Sequence, residues 1–310
     1  MSTTLLAKFA DPLTTAKGEA RASVAMTSLE TLWFNTGTLC NIECANCYID
    51  SSPTNDRLIY LTQADVRPWL DEAAALQTRE IGFTGGESFL NPEMITLAQM
   101  ALERGFETLV LTNAMRPMMR PRVQQGLLDL KNRFGDKLVM RVSLDHYTSH
   151  LHETERGPNS FAPAMEGLRW LSSHGFKLAI AGRTCWGEDE ANARKGYGRL
   201  FAAEKITVNA DDPSALVLFP EMKTETEPPE ITTDCWDILG KSPDEMMCAT
   251  SRMIVRRKGA GHSVALACTL LVDDPQFEMG RSLEQASKPV HLNHKYCATF
   301  CVLGGGSCSA

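Results

Sequence analysis

A chain of 310 residues, 43% hydrophobic and 22% charged, has an ordinary globular make-up and room for one α/β barrel with a small appendage. Its net charge of −7 supplies no basic surface for nucleic acid, and no apolar run approaches the roughly 18 residues of a membrane span. Met1 to Met26 lacks a compact apolar stretch followed by a cleavage site, so no export signal is expected. Ten cysteines in such a chain read as metal ligands and thiols of a reducing cytoplasm rather than as disulfides.

The first strand, Leu29–Phe34, runs into Thr38-Leu-Cys-Asn-Ile-Glu-Cys-Ala-Asn-Cys-Tyr48, which spaces Cys40, Cys44 and Cys47 as C-x3-C-x2-C. Three thiolates this close grip three irons of a 4Fe–4S cluster and leave the fourth iron open for chemistry. A structural zinc is the alternative, but it calls for a fourth ligand from a second local pair, and no histidine lies near. Val66, Trp69, Leu70, Ala73 and Ala74 then recur at helical spacing. Because Pro68 suits only a first turn, this helix is expected to begin near Asp65 rather than at Thr62.

A strand at Glu80–Thr84 ends in Gly85-Gly86-Glu87, and a helix over Pro92–Arg104 leads to the strand Thr108–Thr112, followed by Asn113. Helix Pro121–Arg133, strand Leu138–Leu144, helix Phe161–His174, strand Lys177–Arg183, helix Glu188–Glu204 and strand Ala215–Phe219 continue the alternation. Strands separated by helices form a parallel sheet. An open sheet and a barrel both satisfy this order. The cysteine loop after the first strand favours the barrel, where chemistry gathers at the C-terminal rim. Alternation puts Arg141, Ser143 and Asp145 on one strand face, with Val142 and Leu144 on the other.

The cysteine spacing, Tyr48 directly after it, and the Gly-Gly-Glu turn following the next strand resemble the radical S-adenosylmethionine (SAM) superfamily. The resemblance implies a partial (β/α)6 TIM-like barrel, a 4Fe–4S cluster on Cys40, Cys44 and Cys47, and SAM chelated to its open iron. It assigns Gly85, Gly86 and Glu87 to the SAM amino group, and Ser143 and Asp145 to its ribose and carboxylate. Asn113, Arg183 and Tyr48 complete the expected SAM contacts, with Arg183 offering a fork of donors to the carboxylate. The alternatives are a helix cap or a pair with Arg141 for Asp145, and a purely structural role for Arg183. Asn46 stands where an aromatic residue is common in the family.

The stretch His146–Gly157 holds three His and two Glu. Its ending resembles the family's His-x-x-x-Arg-Gly helix leader, so its groups are expected to order the loop after the fourth strand rather than to bind metal. His152, Glu153 and Tyr147 are candidates for substrate polarity or proton transfer, and Cys185 for hydrogen-atom donation.

After an acidic Pro228-Pro229 linker come six of the ten cysteines, Cys235, Cys248, Cys268, Cys297, Cys301 and Cys308. Met253–Arg257 and Ser263–Ala267 flank Gly259-Ala-Gly261 as a hairpin, which brings Cys248 and Cys268 together. Cys297 and Cys301 then close a four-thiolate site. This resembles a SPASM/twitch extension with one auxiliary 4Fe–4S cluster, and Cys308, which ends a Gly-rich run that resembles the end of a SPASM motif, is a further candidate metal ligand, so the choice of the four stays open. Zinc is again the alternative.

The expected organisation is an N-terminal extension (1–27), the barrel (28–222) and the auxiliary-cluster module (223–310). The implied reaction is one-electron cleavage of SAM to a 5′-deoxyadenosyl radical that abstracts hydrogen from a C–H bond, with an oxidative outcome. A small-molecule substrate is slightly favoured over a ribosomally made peptide. A flavodoxin or ferredoxin is the expected reductant, with neither nucleic acid nor membrane as a partner. A non-catalytic electron carrier or zinc protein has no need of the rim motifs.

Overall fold

The computed structural model describes residues 7–220 and 227–307. In chain order its elements are β1 (Ser23–Val24), β2 (Thr31–Asn35), α1 (Gln63–Ala75), β3 (Glu80–Thr84), α2 (Met94–Glu103), β4 (Glu107–Thr112), α3 (Pro121–Phe134) and β5 (Leu138–Ser143). Then follow α4 (Ser149–Arg156), α5 (Phe161–Ser173), β6 (Lys177–Arg183), α6 (Glu190–Glu204), β7 (Leu216–Phe219), α7 (Cys235–Leu239), β8 (Ser251–Val255), β9 (Val264–Leu266), β10 (Glu278–Gly280) and β11 (Val290–His291).

One sheet runs β10-β9-β8-β2-β3-β4-β5-β6-β7, a linear order that leaves the barrel open. Strands β2 to β7 pair in parallel, each with its sequence neighbour, as the six βα units require. The C-terminal hairpin forms as expected, Met253 facing Leu266. It does not stand apart from the barrel: β8 pairs in parallel with β2, Thr31 opposite Ser251, and so extends the sheet.

Strand alternation divides the core. Leu32 and Phe34 of β2, with Met140 and Val142 of β5, pack outward beneath the helices. Trp33, Leu109, Met253 and Leu266 pack on the inner face. A third core gathers Cys248, Leu270, Cys297 and Phe300, and the N-terminal Ala22 and Val24 join it through the β1–β11 pair. The buried Arg21–Glu230 pair, 2.5 Å apart, fastens the same segment.

Three helix starts differ from the sequence-based expectation. α1 begins at Gln63, because Thr62 and Asp65 form a reciprocal capping box and Pro68 is accommodated inside the helix. α2 begins at Met94, not Pro92. α6 begins at Glu190 behind an Asp189 cap, while Glu188 accepts a hydrogen bond from the Tyr147 hydroxyl at 2.8 Å. Of the stretch after Asp145, His146–Thr148 is a short loop and Ser149–Arg156 forms the helix α4.

Candidate active site

At the C-terminal ends of the parallel strands lies a cavity of about 170 Å³. Its walls include Cys40, Cys44, Cys47 and Tyr48 from the loop after β2, Gly85 and Gly86 after β3, and Asn113 after β4. Arg141, Ser143 and Asp145 enter from β5, as the alternation of that strand dictates, and Arg183 from the end of β6. Trp33, only 1% exposed, is the residue of β2 that reaches the cavity wall. Gly82 on the neighbouring strand makes space for it, since a Cβ there would lie 2.4 Å from the indole ring.

The cysteine loop is held to the barrel from several sides. Cys40 N donates to Ser52 O at 3.0 Å, and Cys47 N to Cys44 O at 3.3 Å. Asn113 Nδ2 donates to Asn41 Oδ1 at 2.9 Å, tying the loop to the end of β4. The Gly-Gly turn has a more local purpose than the close approach of a ligand alone. Gly86 N donates to Gly37 O at 2.8 Å and Glu87 N to Leu39 O at 3.1 Å, so the turn docks on the backbone just before Cys40. A Cβ on Gly86 would fall 2.2 Å from Leu39 O, and Gly85 sits at φ +149°, so both positions need glycine.

Glu87 itself is buried and is not part of the cavity wall. Its Oε1 accepts from Phe89 N (3.1 Å) and Thr112 Oγ1 (2.8 Å), and its Oε2 from Asn113 N (2.8 Å). Burial raises its pKa while these donors work against the rise. The carboxylate therefore joins the β3 and β4 turns from beneath.

Two ion pairs line the wall opposite. Asp145 pairs with Arg156, Nε to Oδ2 at 2.7 Å, rather than with Arg141 or as a helix cap. Arg183 Nη1 meets Glu155 Oε1 at 2.6 Å. Glu155 also accepts from Asn46 N and Asn46 Nδ2, both at 2.9 Å. Glu155 and Arg156 were not singled out from the sequence as site residues. The Arg-Gly that ends the helix leader marked Arg156, but nothing local marked Glu155. His152, Glu153, Tyr147 and Cys185 lie outside this cavity wall. His152 packs edge-on against Phe161, and burial lowers its pKa to about 4. Glu153 accepts from Phe161 N at 3.2 Å.

A second, smaller cavity of about 20 Å³ is lined by Cys248, Cys268, Cys297 and Cys301, among Met246, Met247, Leu271, Val290, Leu292 and Tyr296. Leu270 belongs to the walls of both cavities, and its N–H donates to Cys268 Sγ at 3.3 Å. Cys235 sits outside, on α7, accepting from Thr232 N at 3.4 Å. Cys308 lies outside the described residues. Among the described residues, no three His, Cys, Asp or Glu side chains already converge as a single metal ion requires. What each cysteine set shares is a cavity wall.

Both sets have the chemistry of iron–sulfur ligands. Burial pushes the thiols up, Cys40 and Cys297 to about 12 and Cys44 and Cys248 to about 11. A bound metal would displace these protons. Arg156 opposes the rise at Cys44, placing a cation where thiolate charge would develop. In the first set three thiols share their wall with polar groups able to bind a further ligand, which is the donor set an open iron needs.

Residues 34–185 match the model of the radical SAM superfamily. The chain is 30% identical over 143 residues to the antilisterial bacteriocin subtilosin biosynthesis protein AlbA of Bacillus subtilis (strain 168), covering 46% of this chain and 30% of AlbA. Its fold is similar to that of Streptococcus suis SuiB bound to S-adenosylmethionine, with a TM-score of 0.58 and 14% identity over 82% of this chain and 63% of SuiB. It is also similar to native anSMEcpe with bound AdoMet, with a TM-score of 0.57 and 13% identity over 86% of this chain and 82% of the other. The chain thus spans less than two thirds of the length of AlbA and of SuiB. With three cysteines in C-x3-C-x2-C at the mouth of an open parallel barrel, and the family model matched over residues 34–185, this chain carries a radical SAM superfamily domain.

Proposed function

We propose that this radical SAM enzyme takes a hydrogen atom from a C–H bond of a peptide and that a second, SPASM/twitch-type cluster assists an oxidative outcome. The observation that carries this reading is the pair of cysteine cavities meeting at Leu270. Members of the superfamily use a 4Fe–4S cluster and SAM. A cluster held by Cys40, Cys44 and Cys47, with SAM beside it, would supply the 5′-deoxyadenosyl radical.

The chain's own groups bind, orient and exclude. Thr84, Gly85 and Gly86 present backbone to the SAM ammonium, while Glu87 holds their turn in place from below. Asn113, Ser143 and Asp145 face the ribose and carboxylate, with Tyr48 near the adenine, and Arg183 adds positive charge beside Glu155. Phe219, Pro220, Leu270 and Phe300 form an apolar stretch of wall that keeps water from a reactive radical. Cys248, Cys268, Cys297 and Cys301 would hold the second cluster, which would supply an acceptor for the electron given up by the substrate radical. Cys308 stays a spare in this assignment. A flavodoxin- or ferredoxin-type protein provides the first electron, and the barrel (28–222) and cluster module (223–310) divide the work.

Relatives move the substrate from a small molecule, slightly favoured by sequence alone, toward a peptide. AlbA is a bacteriocin biosynthesis protein, SuiB has been solved bound to precursor peptide SuiA, and anSMEcpe with a Cp18Cys peptide. The test is anaerobic turnover of the iron-loaded protein with SAM, dithionite and deuterated short peptides encoded beside its gene. Deuterium in released 5′-deoxyadenosine supports the reading. Absence of 5′-deoxyadenosine overturns the radical chemistry. Label arriving only from a small metabolite overturns the peptide.

A further inference from the structure

We propose that Glu155 is a positioning residue for the first cluster, fixing the Cys44–Cys47 half of the loop and setting part of the electrostatic field there. The inference rests on the assignment of Cys40, Cys44 and Cys47 as cluster ligands. Only Ala45 and Asn46 separate Cys44 from Cys47, and Glu155 holds both. Ala45 N donates to Glu155 O at 2.8 Å. Asn46 N and Asn46 Nδ2 donate to the two oxygens of the Glu155 carboxylate, each at 2.9 Å.

These contacts come from residues 109 positions apart, so α4 clamps the loop across the barrel mouth. The carboxylate is 4% exposed and also accepts from Arg183 Nη1 at 2.6 Å. A buried carboxylate is tolerated only when its lone pairs are met, and a charged acceptor makes the stronger hydrogen bonds. Within the loop, Cys47 N donates to Cys44 O at 3.3 Å, a weak restraint by comparison. Asn46 thus has a use that the family's common aromatic residue at this position does not supply: two parallel N–H donors matched to one carboxylate.

The charge matters as well as the geometry. Glu155 lines the same cavity as the three thiols. Hydrogen bonding and net charge around an iron–sulfur cluster tune its potential. A negative group at that wall favours the oxidised cluster, so removing the charge while keeping the shape should make reduction easier.

The experiment compares Glu155→Gln, Glu155→Ala, Asn46→Ala and the Glu155→Ala/Asn46→Ala double variant with the unmodified full chain, each loaded anaerobically with iron and sulfide. Iron content, the EPR signal of the reduced cluster that responds to added SAM, and its midpoint potential are read. Glu155→Gln should keep its iron and shift that midpoint upward. Glu155→Ala and Asn46→Ala should each require roughly tenfold more SAM for the same spectral change. The double variant should be no worse than Glu155→Ala, because the two groups act as one unit. Full loading with an unmoved midpoint in Glu155→Gln, or fully additive single effects, overturns the proposal. Should Glu155→Gln fail to fold, Asn46→Ala, which leaves the carboxylate in place, decides: an unchanged SAM response overturns it. An unmodified chain that neither takes up iron nor responds to SAM would instead defeat the underlying functional reading.

Discussion

The two cysteine cavities present the same thiol chemistry in opposite surroundings. Around Cys40, Cys44 and Cys47 the wall carries Asn113, Arg141, Ser143, Asp145, Glu155, Arg156 and Arg183; around Cys248, Cys268, Cys297 and Cys301 it is almost wholly apolar. The buried Arg252, which acts electrostatically on Cys248, spends its guanidinium on the carbonyls of Cys248, Ser251 and Ala286. The difference teaches that, on the proposed assignment, the thiols mark where iron would be held and the walls decide what it would be for. Polar walls bind and orient a charged cofactor. Apolar walls exclude water and leave space for little besides the ligands.

The sharpest break between the two sites comes from the first three cysteines. Changing Cys40, Cys44 and Cys47 together to Ala should abolish 5′-deoxyadenosine release while roughly four irons per chain remain, assayed chemically and by Mössbauer spectra. Continued reductive SAM cleavage would erase the distinction. The reciprocal change, Cys268→Ser, should strip about half of the iron yet leave SAM cleavage running without substrate oxidation. Unchanged iron, or zinc in its place, would show that the apolar cavity is not a cluster site.

A smaller effect separates the cavity wall from its foundation. Glu87→Gln replaces a carboxylate that accepts three hydrogen bonds and should lower folding stability by about 1.5–3 kcal/mol in urea titration. An unaffected midpoint together with weakened SAM binding would place the carboxylate on the ligand instead.

The smallest effect is common to both sites. In the metal-free protein, Cys40, Cys44, Cys248 and Cys297 hold their protons up to about pH 11–12, whereas the unfolded chain releases them near pH 9. The unfolded state then binds fewer protons, so stability is complete below about pH 9 and declines as pH rises through the folded values. Tm measured from pH 8 to 11 should fall in the metal-free protein, and fall less once iron holds the thiolates. Equal slopes in the two forms would argue that the buried thiols are not the ligands.

Leucine, valine and isoleucine periodicity located the six βα units within a residue or two, because strand alternation and helix spacing are local properties. The C-x3-C-x2-C run and Gly85-Gly86 were legible for the same reason: the spacing fixes which thiols can meet, and glycine alone fits the approach to Leu39 O. The start of α1 was misread because Pro68 was weighed as a breaker, while the capping box at Thr62 and Asp65 settled the matter. Pairings across the barrel were invisible locally. Asp145 faced a choice of cations, and only the packing of α4 put Arg156 within 2.7 Å of it. Glu155 carried no sign of its role, since its partners Asn46 and Arg183 come from other βα units. The hairpin was legible from its turn, but its attachment to β2 was not, because an edge strand exposes hydrogen-bonding groups that any strand in reach can satisfy. Sequence thus determined the candidate ligands and the elements that carry them. Tertiary structure decided which charges meet, which carboxylate lines the cavity and which one lies beneath it, because those choices depend on distances that only the closed packing of separate elements sets.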